Sequence, residues 1–215
     1  MKKLILLALV YGTSVLSLRA QLSVYVMAGI SPESHPTNAY LIVNRLTPQE
    51  EFLFNVINTK TQYYGGIKAR QDLGANFFME TGALYTQRKT TYSMKYTMQR
   101  EVGAYQELEE TEDQLIIPLS VGAKRKAVEF SSGLSGFVSL SKQSDLNHIN
   151  GFSDQSSSIQ LGWHAGIGIN LHKVVLGIEY QSALNRMGVG MKIHEQSLEL
   201  MNVPGQCVAR IQYRL

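Results

Sequence analysis

The chain has 215 residues, a formal charge of +3 and one cysteine, and it is 44% apolar and 17% charged. That length suits one domain, or at most two. The low charged fraction excludes a disordered acidic or basic chain, and a lone Cys207 excludes a disulfide scaffold or a multi-cysteine zinc site.

Residues 1–20 read as an export address. Lys2 and Lys3 precede an apolar run from Leu4 to Val10, which resumes at Val15, Leu16 and Leu18, and Ala20 offers a cleavage position. This is the layout of a secretory signal peptide, with 21–215 as the mature domain. The alternative is a membrane anchor, but the run falls short of the roughly 20 apolar residues a spanning helix needs. No cysteine follows it, which excludes a lipoprotein anchor.

The mature chain alternates with a period of two, and eight strands are expected. Leu22 to Ile30 places Leu22, Val24, Val26, Ala28 and Ile30 on one face. Gln62 to Gln71 sets Tyr63, Ile67 and Ala69 against Gln62, Lys68 and Arg70. Asn76 to Arg88 sets Phe77, Met79, Ala83 and Tyr85 against Glu80, Gly82, Thr86 and Arg88. Gln114 to Lys124 and Val128 to Lys142 follow the same rule, with Ile117, Leu119, Phe130 and Leu134 opposite Ser120, Gly122, Glu129 and Ser135. Ile159 to Leu171 alternates without a break, and Val174 to Leu184 repeats it. The last strand carries Cys207, Ala209, Ile211, Tyr213 and Leu215 on one face, with Arg210, Gln212 and Arg214 on the other.

Short and long connections alternate strictly. Asp72–Ala75, Arg125–Ala127 and His172–Lys173 are tight turns, whereas 31–61, 89–113, 143–158 and 187–205 are long. Outer-membrane barrels sort their links this way and use an even strand number. Strands of about 9–11 residues suffice to cross a bilayer when tilted, and lipid demands a closed sheet. The expected fold is therefore an all-β, eight-stranded, antiparallel up-and-down transmembrane β-barrel preceded by a cleavable signal peptide. A lipocalin-like barrel or a soluble sandwich would turn the apolar stripes inward instead. Phe77, Phe130 and Tyr213 near the turn ends, with Tyr63, Tyr85 and Trp163 toward the loop ends, are expected as two interfacial girdles.

Asn76-Phe-Phe-Met-Glu-Thr-Gly-Ala-Leu-Tyr85 resembles the third-strand signature of the PorT-like outer-membrane β-barrel family of Bacteroidetes. Gln114-Leu-Ile-Ile-Pro-Leu119 is similar to that family's strand start, and Gly166–Leu171 with Leu176–Tyr180 resembles its late glycine-rich hairpin. The resemblance implies a barrel in the outer membrane. It carries no catalytic residue or cofactor.

If the apolar stripes face lipid, the other face lines a lumen holding Lys68, Arg70, Glu80, Arg88, Lys124, Glu129, His164, Glu179, Arg210 and Arg214. Eight strands leave an interior just wide enough for side chains to fill, and buried charges must pair. Glu80, Glu129 and Glu179 are expected to pair with Arg70, Arg210 and Arg214 as a plug. A narrow gated pore is the alternative. Pro118 falls on the same inward face, and inward glycines leave room for the charged groups.

In the loops, Thr47-Pro-Gln-Glu50 has the layout of a capping box, and Phe52, Val56 and Ile57 follow, so a short amphipathic helix is expected there. Tyr92, Met94, Tyr96 and Met98 alternate, so the second long link should extend as a hairpin. Glu107, Glu109, Glu110, Glu112 and Asp113 form an acidic run that reads as a solvated loop without EF-hand spacing. No HExxH, GxSxG or P-loop occurs, and no cofactor, metal site or catalytic group is expected.

The expected partners are outer-membrane lipid, lipopolysaccharide and the barrel-assembly machinery. The basic excess implies no nucleic acid: Lys2, Lys3 and Arg19 supply the whole +3, and residues 1–20 contain no acid.

Overall fold

The computed structural model describes residues 22–34, 39–43, 50–98, 101–149, 151–154, 158–184, 191–193, 196–197 and 205–215. Residues 1–20, with the expected signal segment, lie outside that set.

The chain is all-β. In order it forms β1 (Leu22–Ser31), β2 (Ala39–Val43), β3 (Glu50–Thr59), β4 (Gln62–Asp72), β5 (Phe77–Met98), β6 (Glu101–Arg125) and β7 (Val128–Ser144). After a 3-10 turn at Asp145–His148 come β8 (Phe152–Asp154), β9 (Ile159–Leu171), β10 (Val174–Ala183), β11 (Met191–Ile193), β12 (Gln196–Ser197) and β13 (Gln206–Arg214). Eight of them close into a ring in the order β1-β4-β5-β6-β7-β9-β10-β13, every neighbouring pair antiparallel. β13 closes it by pairing with β1 from Tyr25↔Arg214 to Ile30↔Ala209. These eight correspond to the eight runs of alternation in the sequence.

Alternation fixes which residues enter the ring. Successive side chains on a strand point to opposite faces. Leu22 is 67% exposed and Ile67 57%, while Lys68 and Glu129 are each 1% exposed. The tight turns sit together at one end with the start of β1 and the end of β13, where the Leu215 N–H donates to the Val24 carbonyl. Lys126 and His172 take positive φ at the first of two turn residues, the sign pattern of type II′ hairpins.

At Pro118 the β5–β6 register partners stop at Thr81↔Leu119 and resume at Leu84↔Ile116, because proline has no N–H to give. The Thr81 hydroxyl instead donates to the Pro118 carbonyl at 2.9 Å.

Beyond the ring the second long link does extend as a hairpin. β5 and β6 stay paired to Met98↔Glu101, 22 and 25 residues long. β3 adds to the outer half of β5, and β2 adds to β3. The expected helix after Thr47 is therefore corrected: Glu50 to Thr59 is a strand, and residues 47–49 lie outside the described set. Phe54 and Val56, two residues apart, both enter an apolar core, a spacing that only a strand brings onto one face.

That core joins Phe54 and Val56 to Tyr92, Leu108, Leu146 and Met191, so each of the four long links contributes to it. Phe54 and Tyr92 stack with ring centroids 5.1 Å apart. The acidic run is corrected as well. It forms part of β6, whose alternation buries Glu110 and Glu112 and leaves Glu107 and Glu109 exposed.

Gly133 on β7 packs directly against the backbone of β6. A Cβ there would fall on the Leu119 carbonyl oxygen of β6. Gly133→Ala is expected to destabilise the fold by about 1–3 kcal/mol. Gly65→Ala, where a Cβ would meet nothing within 4 Å, should leave the midpoint unchanged. Denaturant titrations of the two variants measure the contrast.

Candidate functional site

The inward face of the ring carries a neutral network of six charged groups. Lys68 and Arg70 come from β4, Glu80 from β5, Glu129 from β7, Glu179 from β10 and Arg210 from β13. All are buried.

Arg70 is the most fully engaged. Its Nη1 and Nη2 donate to the two oxygens of Glu129 at 2.8 and 2.9 Å, a bidentate pair. Its Nε and Nη2 donate to Glu80 Oε2 at 3.1 and 2.8 Å. The guanidinium also lies 4.0 Å from the centroid of Phe78 and 5.0 Å from that of Tyr25. These aromatic faces favour the cation and exclude water from it.

Lys68 donates to Glu80 Oε1 at 2.9 Å and stands 3.8 Å from Glu179. Arg210 pairs with Glu179 at 3.0 Å and lies 3.8 Å from Glu80. Neighbouring strands account for some of these contacts. Arg70–Glu129, Lys68–Glu179 and Arg210–Glu80 instead span three places around the ring. They are cross-braces.

The inward glycines make room for these groups. A Cβ at Gly168 would lie 3.2 Å from Glu129 Cγ, and one at Gly177 would lie 3.1 Å from Arg210 Nε. His164 sits among hydroxyls, its Nδ1 2.7 Å from Ser135 Oγ and its Nε2 3.0 Å from Ser120 Oγ. Toward the loop end, the Tyr64 hydroxyl donates to Gln206 at 2.9 Å and accepts from Gln181 at 3.0 Å. There a cavity of about 40 Å³ is lined by Gln62, Gln114, Gln160, Gln181 and Gln206 with Arg88 and Phe137. That is room for a few waters at most. Above it Arg88 pairs with Glu112, and the apolar core of the links follows.

The residues singled out in the sequence take these places. Lys68, Arg70, Glu80, Glu129, Glu179 and Arg210 come together, with His164 beside them. Arg88 is separate and pairs with Glu112. Lys124 pairs with Asp72 at the turn end, half-buried. The expected pairing of Arg214 is not formed. At the last residue of β13 it is only half-buried, and among the described residues it makes no ion pair. Lys68 takes that role. Tyr63, Phe77, Tyr85, Phe130, Trp163 and Tyr213 are all exposed on the outward face. Phe77 and Phe130 flank Ala123 near the turns, and Trp163 lies 5.4 Å from Tyr180.

Sequence reading missed Tyr25, Phe78 and Phe137, which are apolar yet face inward. Their parity was the available signal: Tyr25 shares a face with Ser23, and Phe78 with Glu80. Among the described residues no three His, Cys, Asp or Glu gather as a metal site.

Beyond the ring, burial pushes the Glu112 carboxyl up, but the Arg88 guanidinium beside it outweighs that and leaves it below the usual range. Hydrogen bonds from Ser139 and Gln114 and the charge of Lys142 on β7 lower it further, and Lys142 itself pairs with Glu110 at 3.2 Å and Asp154 at 2.7 Å. Tyr92 is pushed well above its ordinary value by burial and by Glu110, so its hydroxyl stays protonated and donates to Glu110 at 3.2 Å.

Three outcomes follow. Glu80→Ala should cost about 3–5 kcal/mol, because it strands buried cations. Arg70→Met with Glu129→Leu should cost less than the sum of the single changes, as a double-mutant cycle in denaturant will read. A depressed carboxyl contributes stability that is complete above the ordinary glutamate value of about 4.3 and is lost as pH falls below it. Amide protection factors in the β5–β6 hairpin, corrected for the intrinsic pH dependence of exchange, should therefore fall on acidification, and Glu112→Gln should flatten that dependence.

No protein-family model and no curated protein matches the chain.

Proposed function

We propose that the chain is an integral outer-membrane β-barrel with a structural or cell-surface interaction role. Its charged interior acts as a plug, and its folded links act as the working surface.

The observation that carries this reading is the inversion of the fold. Large apolar side chains cover the outside from Leu22 to Leu215, while the inside holds buried lysine, arginine and glutamate beside a smaller apolar cluster. Soluble monomers rarely expose contiguous apolar patches beyond a few hundred Å². A ring with this exterior fits a bilayer, where every backbone group must be paired without an edge. Height agrees: the 13 residues of β9, at a rise of about 3.3 Å and a tilt of about 35–45°, cover roughly the thickness of the hydrocarbon core. The exposed aromatics would then form girdles at the two interfaces.

The resemblance to the PorT-like family points to the same compartment. Export would use residues 1–20 as a cleaved signal. Insertion would use the assembly machinery, with β13 as the recognition segment. No reaction is assigned to the barrel. The plug reading rests on the cross-braces and on the small size of the glutamine-lined cavity.

Cell fractionation should place the protein in the outer membrane, and unheated samples should migrate faster on a denaturing gel than boiled ones. Recovery as a soluble periplasmic protein would overturn the membrane reading. In planar bilayers the purified protein should stay silent, and stable large openings would overturn the plug.

A further inference from the structure

On the outward face at the loop end, β4 and β5 frame a recess of about 700 Å³. Gly65 lies directly opposite Tyr85 on β5, and Tyr63 precedes it by two residues on the same face of β4. Both tyrosines are exposed, Tyr63 at 70%. The glycine between them is not required by its surroundings. Its φ is not in the left-handed region, and a Cβ there would meet nothing within 4 Å. Nearly any side chain would fit, and its absence keeps an open floor between two aromatic rings.

Lys60 and Lys89 stand at the rim. The Lys60 backbone N–H donates to the Lys89 carbonyl at 2.9 Å, which ties the two main chains together at the rim. Lys60 Nζ reaches Glu109 at 2.6 Å, but both groups are about half exposed, and a solvated pair of that kind is weak and readily exchanged. Glu33, which accepts from Asn58 Nδ2, adds an acceptor on the same rim. The site thus has an aromatic base, where the Tyr85 hydroxyl donates to Asp113 at 2.7 Å, an edge that carries Lys60, Lys89 and Glu33, and an opening to the outside of the ring.

We infer that this recess binds the phosphorylated glucosamine headgroup of outer-leaflet lipopolysaccharide. The tyrosine rings flank the sugar over Gly65, and their amphipathic character suits an interface. The paired lysines take a phosphate in place of Glu109, and Glu33 accepts from a sugar hydroxyl. A glycerophospholipid shares the phosphate but has no rigid ring for the tyrosines. The inference rests on the membrane reading above, since only an outer leaflet at this height presents that headgroup.

The test uses full-length protein in detergent micelles, with bis-phosphorylated lipid A as probe and native mass spectrometry as readout. Wild type should take up one saturable lipid A. Gly65→Leu, which fills the floor, and the double change Lys60→Ala, Lys89→Ala should each weaken uptake at least about tenfold. Phosphatidylglycerol should bind at least about tenfold more weakly than lipid A. Unchanged lipid A uptake by either variant, or equal uptake of phosphatidylglycerol, overturns the site. Heat-modifiable migration separates the two levels. If wild type lacks it, the membrane reading fails and the site with it. If it is present and uptake is unchanged in the variants, the site alone fails.

Discussion

Arg70 is the point on which the interior turns. One guanidinium binds carboxylates from β5 and β7 while two aromatic rings cover its faces. A cation buried this deeply is tolerable only if its donors are satisfied, because an unpaired buried charge costs several kcal/mol. Satisfying it requires Glu129, three places around the ring, to stand at one height. That height is set by register, and register is set by outward alternation, since a slip of one residue would turn every side chain to the wrong face. The polar network and the apolar exterior therefore specify each other. Neither could change by one residue without disabling the other.

The same coupling explains why most of the ring was legible in the sequence. Ile159 to Leu171 keeps strict parity, and parity alone assigns inside and outside. Lys68, Arg70, Glu80, Glu129, Glu179 and Arg210 all follow from it. Parity says nothing of height, so it could not tell that Arg214 stands at the turn end while Lys68 reaches the carboxylates. Nor does it flag an inward aromatic, because Tyr25 and Phe78 look like lapses in a polar face until Arg70 is placed between them. The segment after Glu50 misled for a different reason. Its capping pattern is a local signal, whereas its strand comes from pairing with β5, a partner some forty residues away.

The links are built on a different principle from the ring. Inside the ring an ionic network lies beside an apolar cluster of Met27, Tyr64, Leu84, Ile116 and Val208, and beyond Arg88 and Glu112 the links close over an apolar core of their own. The change follows the surroundings. On the proposed reading, lipid supplies the apolar medium outside the ring, so the polar residues are left for the interior. Above the bilayer water surrounds the links, and they fold in the ordinary sense, with Phe54, Tyr92, Leu108 and Leu146 withdrawn from it. The Arg88–Glu112 pair sits at the boundary between the two regimes.

This arrangement also bears on where specificity can reside. The six network charges are consumed by one another, and the cavity above them holds only a few waters. Any ligand admitted there would have to break buried pairs that brace opposite walls. Recognition is cheaper on surfaces the brace does not use. These are the links and the outward rim, where Lys60, Lys89, Tyr63 and Tyr85 can be engaged without disturbing a single cross-ring contact. A ring braced from within can vary its outside freely.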